Sequence, residues 1–434
     1  MSGAASGLGE IEADWAKKAA WYGAGLAHIW QPYTQMKSAA PPLAVARTEG
    51  TGIVLADGRV LIDGIASWWT ACHGYNHPHI GAAVRRQLEL MPHVMFGGLV
   101  HEQALTLAAR LAAMAPGDLD RVFFSESGSV AVEIALKMAR QYWVNFGLRK
   151  RRRFVAFRGG YHGDTTGAMA ISDALHGAQG GIVPEPAIIA LPEDAATTGA
   201  FELLMERHAE DIAGIIVEPL VQGAGGMRFH DPDVLRRIRT TADRYQVLVI
   251  FDEIFTGFGR TGTLFASEGA GVIPDIMTLS KALTGGTLPL AATIAGRRVF
   301  EAFWSDDPAH ALMHGPTYMA NALACAAANA SLDLFQQEPR LAQVSAISAA
   351  LAHGLEDCRA LPGVKDVRVK GAIGVVERAG IDDLDGLRRR FVEAGVFIRP
   401  FGSIVYLTPA FIMAEEDVFA LTRAVFEVLR ELAR

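Results

Sequence analysis

Short apolar runs alternate with amphipathic helical patterns from about residue 78 onward. The runs that predict strands are RVFFSES, RRRFVAF, DIAGIIVEPL, VLVIFDE and PDIMTLS. Helical patterns such as SVAVEIALKMARQYW and PDVLRRIRTTADRYQ separate several of these runs. Alternation of this kind favours a mostly parallel sheet covered by helices on both faces, which is an α/β architecture.

The two ends of the chain carry different patterns. GIVLADGRVLIDG alternates around Asp57-Gly58, which predicts a β-hairpin. After Asn321 come an Ala-rich helix, a second helix in LAQVSAISAALAHGLEDC, short strands and a final helix in EEDVFALTRAVFEVLREL. We therefore expect a large α/β domain over residues 78–320 and a smaller α+β domain over residues 321–434. An N-terminal segment, residues 1–77, is expected to pack with the smaller domain.

Composition narrows the possible partners. The chain has 434 residues, half of them hydrophobic, which suits about two or three domains. Its formal charge of −7 does not favour a nucleic acid or an anionic membrane as partner. The basic run RKRRR, residues 149–153, is interpreted as a solvated turn between a helix and a strand.

Cysteine usage and the N-terminal sequence indicate a reducing compartment. Cys72, Cys325 and Cys358 form no CxxC pair, so we expect neither a disulfide framework nor a metal site. The first residues, MSGAASGLGEIEADWAKK, lack the features of a signal peptide. We found no uncharged apolar run of the about 18 residues that a membrane span needs. A cytoplasmic location is the expectation.

Candidate chemistry follows the predicted strands, because ligands bind at the carboxyl ends of parallel strands. Ser127-Gly128-Ser129 opens a helix, where free backbone N–H groups and the helix dipole favour a phosphate. An ordinary serine N-cap explains the same residues equally well. Asp252 follows VLVIF, and a carboxylate at the end of a buried strand is costly unless a cation pairs with it.

Lys281, in TLSKALTGGTLPL, follows another strand among small and apolar residues. Partial burial would lower its pKa, and the neutral amine could then attack a carbonyl. An isolated lysine more often extends to the surface. An amine, a buried carboxylate and a phosphate cradle are together what pyridoxal phosphate requires. Residues 257–262 also spell GxGxxG, but the following TLFASEGAG shows no helical pattern, which argues against a dinucleotide site.

The motifs SKALTGG, DEIFTGFGRTG and YHGDT resemble those of the class III, or ω-, aminotransferases of fold type I. The resemblance runs from about Ile29 to Ile412. It implies a mostly parallel seven-stranded sheet between helices, a smaller α+β domain, pyridoxal phosphate as cofactor, and a homodimer with its active site at the subunit interface. Further matching motifs are IWQPYTQM, ASWWTACHGYNHP, PHVMFGGLVHE, HGPTYMANALACA and RPFGSIVYLTPAF.

The resemblance assigns roles around the cofactor. Lys281 would form the Schiff base and move a proton, and Asp252 would hold the protonated ring nitrogen. Tyr161 would lie against the ring and complete the catalytic set. The implied cofactor contacts also include Gly128, Ser129, Ile254, Glu218 and, from the neighbouring subunit, Thr317. Core packing explains Ile254 equally well, and a purely structural role is open for Glu218.

The resemblance also assigns a substrate pocket. Arg399 would pair with a substrate carboxylate, for which a guanidinium fork is suited, although a surface arginine at a strand end is the alternative. The other implied substrate contacts are Tyr33, Trp68, Trp69, Asp164, Gly315 and Tyr406. Core packing is the alternative for Trp68. Arg260 is expected to support this network.

The Trp68-Trp69 pair, VMFGGLVHE and RPFG resemble the family members that act in biotin synthesis. This implies transamination in two half-reactions, with S-adenosylmethionine as amino donor and 8-amino-7-oxononanoate as acceptor. Another ω-aminotransferase, acting on a diamine or an ω-amino acid, is the alternative. A decarboxylase on the same scaffold and a cofactor-binding regulatory protein are more distant. Leu288-Pro289-Leu290 departs from the family pattern, and residues 284–286 are expected to leave space for the cofactor.

Overall fold

A computed structural model describes residues 21–173 and 186–432. The expectation about a signal peptide falls on residues 1–18, which lie outside the described residues. The strands are β1 Val45–Glu49, β2 Gly52–Leu55, β3 Val60–Asp63, β4 Leu119–Ser125, β5 Arg153–Phe157, β6 Ala187–Ile189, β7 Ile212–Val217, β8 Val221–Gln222, β9 Arg228–Phe229, β10 Leu248–Asp252, β11 Ile276–Leu279, β12 Ala291–Gly296, β13 Val364–Lys370, β14 Ile373–Arg378, β15 Val396–Phe397 and β16 Ile404–Leu407.

Besides the α-helices, the described residues form four short 3-10 turns and one irregular turn, Ala66–Trp69. Lys281–Thr284 is a 3-10 turn of particular interest because it begins at the candidate lysine. The α-helices are α1 Pro78–Leu90, α2 Glu102–Met114, α3 Gly128–Asn145, α4 Thr166–Ala170, α5 Ala195–His208, α6 Pro232–Arg244, α7 Ala266–Ala270, α8 Arg297–Glu301, α9 Ala322–Gln337, α10 Arg340–Leu355, α11 Leu384–Glu393 and α12 Glu415–Leu432. In the described parts of the chain, none is long and apolar enough to cross a membrane.

The central sheet has seven strands in the order β4-β12-β11-β10-β7-β5-β6. It is parallel except for β12, which runs antiparallel to both of its neighbours. The five predicted strand runs correspond to β4, β5, β7, β10 and β11. Every residue of β7 and β10 is buried, as expected for strands covered on both faces. The prediction of a mostly parallel seven-stranded α/β sheet is therefore confirmed.

The predicted hairpin joins a strand from near the other end of the chain. Ile53 pairs with Leu61 across the hairpin. On its far side β3 pairs in parallel with β15, which places Asp63 beside Phe397. The N-terminal hairpin is therefore part of the same four-stranded sheet as a C-terminal strand, in the order β1-β2-β3-β15.

The hydrophobic core crosses the predicted domain boundary at residues 320 and 321. One cluster of buried side chains includes Leu107, Leu279 and Leu351. Helix α9 packs against α1 and α2 as well as against the lysine turn. The division into residues 1–77, 78–320 and 321–434 stays a prediction.

The segment after the GxGxxG motif differs from the sequence-based expectation. A short helix, α7, begins at Ala266, so the prediction that TLFASEGAG contains no helix was wrong. The buried Glu253 carboxylate accepts hydrogen bonds from the backbone N–H groups of Ala266 and Ser267, both at 2.8 Å. Those two N–H groups belong to the first turn, so Glu253 stabilises the start of the helix. The glycine loop precedes α7 and does not open it.

The lysine turn is held by the segment that departs from the family pattern. Thr284 Oγ1 donates to the Leu288 carbonyl at 2.6 Å, and Ser280 Oγ donates to the Leu290 carbonyl at 2.8 Å. These bonds flank Lys281 on both sides. Leu288 and Leu290 of this segment therefore supply carbonyl acceptors to the turn.

The glycines after the turn serve close backbone approach. Gly286 has φ +77°, and a Cβ there would lie 2.9 Å from Thr70 Oγ1 and 3.1 Å from the Ala71 nitrogen. Gly286 therefore makes room for residues 70 and 71, a Cβ at Gly285 would lie 2.9 Å from Ile80, and neither glycine lines the cavity described below. The expectation that residues 284–286 leave space for the cofactor stays a prediction.

We expect Gly286→Ala to lower the free energy of unfolding by about 2–4 kcal/mol, because it adds a left-handed strain and a steric clash. Gly271→Ala is the matched control, since Gly271 also has positive φ, at +65°, with nothing within 4 Å of its added Cβ. It should cost only about 1–2 kcal/mol. Denaturant titration measures both values. Equal losses would mean that the approach of residues 70 and 71 contributes nothing.

Candidate active site

A cavity of about 450 Å³ opens at the carboxyl ends of the central strands. It brings together twelve of the predicted site residues from distant parts of the chain. These are Tyr33, Trp68, Trp69, Gly128, Ser129, Tyr161, Glu218, Asp252, Ile254, Lys281, Arg399 and Tyr406. A volume of this size suits a small-molecule ligand.

Asp252 ends β10 and is almost fully buried. His162 Nδ1 lies 2.7 Å from its Oδ2, and this geometry assigns the ring proton to Nδ1 as the donor. Thr278 Oγ1 and the Ile254 N–H both donate to Oδ1, each at 3.2 Å. The carboxylate is therefore fixed in orientation. Sequence reasoning missed His162, although its place in YHGDT, next to Tyr161, was an available signal.

Lys281 lies opposite, at the start of its 3-10 turn with φ +49°. Its Nζ is 4.0 Å from the centroid of the Trp69 ring and 5.7 Å from that of Phe255. Burial lowers the pKa of Lys281 to about 8, while the Asp252 and Glu218 carboxylates act in the opposite direction. A substantial fraction of this amine is therefore neutral, and nucleophilic, near pH 8.

Glu218 joins the lysine environment to the loop that carries Tyr161. Its carboxylate accepts from the backbone N–H of Tyr161 at 3.0 Å and from that of Gly223 at 2.9 Å. The pKa of Glu218 is raised to about 7, chiefly by burial, while His162 opposes the rise and the nearby Asp252 adds to it. Glu218 thus has a structural role in holding the loop and also lines the cavity near Lys281.

The first turn of α3 faces the cavity. Ser127 is the N-cap, and its hydroxyl accepts from the Val130 N–H at 3.3 Å. A Cβ added at Gly128 would lie 3.0 Å from Ile254 Cδ1, so glycine is required for close packing there. Serine capping and a phosphate cradle are therefore compatible, because they use different residues of the same turn.

Two tyrosines share one carboxylate at the rim. The hydroxyls of Tyr33 and Tyr161 are 3.1 Å apart, and Tyr161 donates to Asp164 Oδ1 at 2.9 Å. Tyr33 donates to the other oxygen of Asp164. Burial raises the pKa of both phenols, so both stay protonated and act as donors. Asp164 does not line the cavity itself and acts through the tyrosines.

The opposite wall is aromatic and cationic. The Arg399 guanidinium carbon is 5.3 Å from the centroid of the Trp68 ring. Burial lowers the pKa of Arg399 below its ordinary value. Arg388 also lines this wall, and it donates to the Asp385 carboxylate at 2.8 Å and to the Pro400 carbonyl at 3.0 Å. Arg388 is therefore already paired, whereas the Arg399 guanidinium faces the cavity with an aromatic neighbour.

Four expected residues do not line the cavity of their own chain, namely Asp164, described above, and the three that follow. Gly315 and Thr317 are exposed at the surface. Arg260 is buried elsewhere, where it donates to the carbonyls of Ala372 at 3.1 Å and Pro409 at 2.8 Å. These hydrogen bonds do not connect Arg260 to the substrate network, as was expected. The Arg260 guanidinium instead joins two backbone segments.

Sequence reasoning also missed several residues of the cavity wall. Phe255 follows Ile254 directly, and its ring lies 4.2 Å from that of Trp69. Phe401, in RPFG, packs edge-on against Tyr406 with ring centroids 5.5 Å apart. Both belong to motifs that the sequence had already singled out. The other missed residues are His162, Gly163, Ala224, Ser280 and Arg388.

The chain belongs to the class III aminotransferases, since the model of the family described as "Aminotransferase class-III" matches residues 33–429. A protein of Mycobacterium leprae named adenosylmethionine-8-amino-7-oxononanoate aminotransferase is 44% identical, with 99% of each chain covered. A protein of the same name from Corynebacterium glutamicum is 41% identical, covering 93% of this chain and 97% of that protein.

Solved structures agree with this assignment. The crystal structure of the adenosylmethionine-8-amino-7-oxononanoate aminotransferase of Methanocaldococcus jannaschii has a TM-score of 0.90 at 30% identity, covering 95% of this chain and 99% of that one. A PLP-bound amine transaminase from an uncultivated Pseudomonas species has a TM-score of 0.87 at 32% identity, covering 94% and 99%. The predicted fold type I architecture is confirmed.

The lowered pKa of Lys281 gives a pH-dependent prediction. Cofactor-free protein is mixed with pyridoxal 5′-phosphate, the imine is trapped with borohydride, and peptide mapping measures the rate at Lys281. The rate should rise with pH and level off above about 8, because the ammonium form predominates below that pKa and does not attack. Nα-acetyl-lysine is the reference amine, and the midpoint of its rate is expected at a pH of about 10.4.

Glu218→Gln should move this midpoint to lower pH, because it removes a carboxylate that stabilises the Lys281 ammonium. Glu202→Gln is the control, since Glu202 is an exposed carboxylate on α5. A midpoint near that of acetyl-lysine would contradict the burial of the amine.

Proposed function

We propose that this chain is a pyridoxal-phosphate-dependent aminotransferase of biotin synthesis. In this proposal it transfers the amino group of S-adenosylmethionine to 8-amino-7-oxononanoate and forms 7,8-diaminononanoate. The observation that carries the proposal is one cavity in which the Lys281 amine faces the Asp252–His162 pair and the first turn of α3. The substrate choice is supported by the relatives of that name, which match nearly the whole chain.

The cavity wall fits the cofactor. Asp252 is held by His162 and would accept a hydrogen bond from the protonated pyridine nitrogen, whose positive charge would offset that of the buried carboxylate. Gly128 and Ser129 would hold the phosphate at the N-terminus of α3. Lys281 would bind the aldehyde carbon. When bound, pyridoxal phosphate supplies an electron sink for carbanion chemistry at the substrate carbon.

The chain's own side chains perform the remaining work. The Lys281 amine, once released, would take a proton from the donor's Cα. In the second half-reaction it would return a proton to the acceptor carbon that receives the amine. Its lowered pKa suits this task, because a base works best near the operating pH. The Tyr33 and Tyr161 hydroxyls, oriented by Asp164, would hold the reacting amine in place. Trp69 and Phe255 cover the lysine and exclude water from it.

Both proposed substrates carry a carboxylate. Arg399 would bind the carboxylate of each in turn, which explains how one site serves two different molecules. The Trp68 ring beside Arg399 offers a flat apolar surface for an adenosyl group or an alkyl chain. The sulfonium of the donor would also be attracted to an aromatic face.

The second candidate is an ω-aminotransferase that acts on a diamine or an ω-amino acid. It is supported by the similarity to the amine transaminase structure, which nearly equals that to the M. jannaschii enzyme. The two candidates share the chemistry at Lys281 and differ in their substrates, of which the amino donor is the simpler to test. Donor preference therefore decides between them.

The purified protein should show a visible absorption band that S-adenosylmethionine bleaches, because amino transfer converts the cofactor to its amine form. Lysine, tested at the same concentration, should bleach the band more than tenfold more slowly. Lys281→Ala should lack the covalent complex and turn over at less than about one thousandth of the normal rate. Equal or faster bleaching by lysine would favour the second candidate, and normal turnover by Lys281→Ala would exclude both.

We also propose that the chain works as a homodimer. Large apolar side chains are exposed, including Met313, which is 81% exposed, and Met95 and Val100, which are 60% and 62% exposed. Exposed apolar surface of this extent is typical of an interface. Thr317 is close to Met313 in the chain and would reach the phosphate of the neighbouring site. A cytoplasmic location is proposed too, supported by the three free cysteines.

Mixed dimers test the role of Thr317. Lys281→Ala and Thr317→Ala chains with different affinity tags are co-expressed, and the mixed species is purified through both tags. If Thr317 acts across the interface, one of the two sites has both wild-type residues, and activity should return to about half of the wild-type value. If Thr317 acts within its own chain, the mixed dimer should be no more active than the mean of its parents. A monomer by sedimentation would contradict the proposal outright.

A further inference from the structure

A turn of left-handed helix presents the two tryptophans to the cavity. Four consecutive residues, Ala66, Ser67, Trp68 and Trp69, have φ of +45°, +48°, +53° and +73°. The Trp69 N–H donates to the Ile65 carbonyl at 2.9 Å, which closes the turn. Residues with a Cβ avoid this region, and a run of four of them is strained because each brings its Cβ close to a following carbonyl.

The Asp63 carboxylate holds this turn. It is buried, and it accepts from the Ile65 N–H at 2.9 Å and from the Ser67 N–H at 2.8 Å. The Tyr75 hydroxyl donates to the same carboxylate at 2.6 Å. Tyr75 is itself fixed, because its N–H donates to the Gly50 carbonyl at 2.7 Å. A strained turn therefore has two backbone N–H groups tied to one buried, oriented acceptor.

Asp63 also lies where β3 and β15 run side by side, and the residues of the substrate wall follow directly after these two strands. Asp63 ends β3 and pairs with Phe397 of β15, two residues before Arg399. The Gly64 N–H continues this pairing to the Phe397 carbonyl at 3.0 Å. The turn and Arg399 therefore leave the sheet side by side, which explains why the Trp68 ring meets the Arg399 guanidinium.

The two tryptophans contact different parts of the site, Trp68 the proposed substrate arginine and Trp69 the lysine. Trp68 contacts Arg399, and its ring also lies 6.2 Å from that of Tyr33. Trp69 covers Lys281 Nζ at 4.0 Å and stacks against Phe255. A right-handed or extended backbone at these positions would direct at least one indole away from its partner. The left-handed turn is thus what places both rings at once.

We propose that Asp63, with Tyr75 behind it, is a positioning residue that holds the left-handed turn and thereby sets the affinity of the site for carboxylate substrates. The inference rests on the proposed function for the identity of those substrates. Neither residue lines the cavity, so both act only through the turn and the Trp68–Arg399 contact.

The test compares Asp63→Asn and Tyr75→Phe with wild-type holoenzyme. Asparagine keeps one carbonyl oxygen but directs an N–H₂ group at one of the three donors, so one bond to the turn is lost. We expect Asp63→Asn to raise KM for both substrates at least tenfold and to lower kcat less than threefold. Tyr75→Phe should raise KM about threefold. Cofactor affinity should stay within twofold of wild type in both.

A rescue experiment separates positioning from general destabilisation. Ser67→Gly is added to Asp63→Asn, because glycine adopts positive φ without the Cβ penalty and its N–H is retained. The KM of the double variant should be at least threefold lower than that of Asp63→Asn. Near-UV circular dichroism of the cofactor-free protein should show a reduced tryptophan signal in Asp63→Asn and its partial return in the double variant. Asp57→Asn, in the exposed turn of the same hairpin, is the control and should match wild type.

Nonanoate provides a readout that does not need amino transfer. As a carboxylate without an amine, it should perturb the visible band of wild-type holoenzyme and bind at least tenfold more weakly to Asp63→Asn. If wild type fails to react with S-adenosylmethionine while this difference persists, the proposed function fails and the positioning role stands. The positioning role is overturned if Asp63→Asn binds substrates and nonanoate like wild type, or if glycine at residue 67 restores nothing.

Discussion

The site depends on the mutual compensation of charges buried at the ends of the central strands. Asp252 and Glu218 are buried and Lys281 is partly buried, and a buried charge without a partner would cost several kcal/mol. Asp252 has His162, Glu218 has two backbone N–H groups, and Lys281 lies in the field of both carboxylates. The Asp252 carboxylate raises the pKa of both Lys281 and Glu218, so its removal would lower the pKa of each.

The aromatic cover over the lysine extends this arrangement. Trp69 and Phe255 keep water from the amine and lower its pKa, while the face of the indole still tolerates the ammonium form. The amine can therefore exist in both protonation states without a large rearrangement. A group that accepts and returns a proton in each cycle benefits from that balance.

The sequence predicted the parts that depend on local pattern. The strands β7 and β10 could be predicted because buried parallel strands are apolar on both faces. The helices α3, α6 and α12 could be predicted from their helical spacing. Lys281 and Asp252 could be found because a charge directly after such a run is unusual.

The parts that depend on contacts between distant segments were less accessible. His162 was missed as the partner of Asp252 because no spacing rule connects residues that meet only across the sheet edge. The left-handed turn could not be predicted because alanine, serine and tryptophan, unlike glycine, do not indicate positive φ. Arg260 was misplaced because a motif residue was assumed to act where the motif acts, whereas its side chain turns towards the Ala372 and Pro409 carbonyls.

The parallel pair β3–β15 has a consequence for how the chain is made. Ile62 pairs with Val396, so the wall that joins the tryptophan turn to Arg399 closes only after nearly the whole chain has left the ribosome. Contacts of such long sequence separation form late, after the loop between them has been ordered. During synthesis the β3 edge of the early hairpin therefore stays unpaired until β15 is made, and Trp68 stays without its Arg399 neighbour. Nascent chains stalled before residue 396 should consequently be the species that most needs a chaperone.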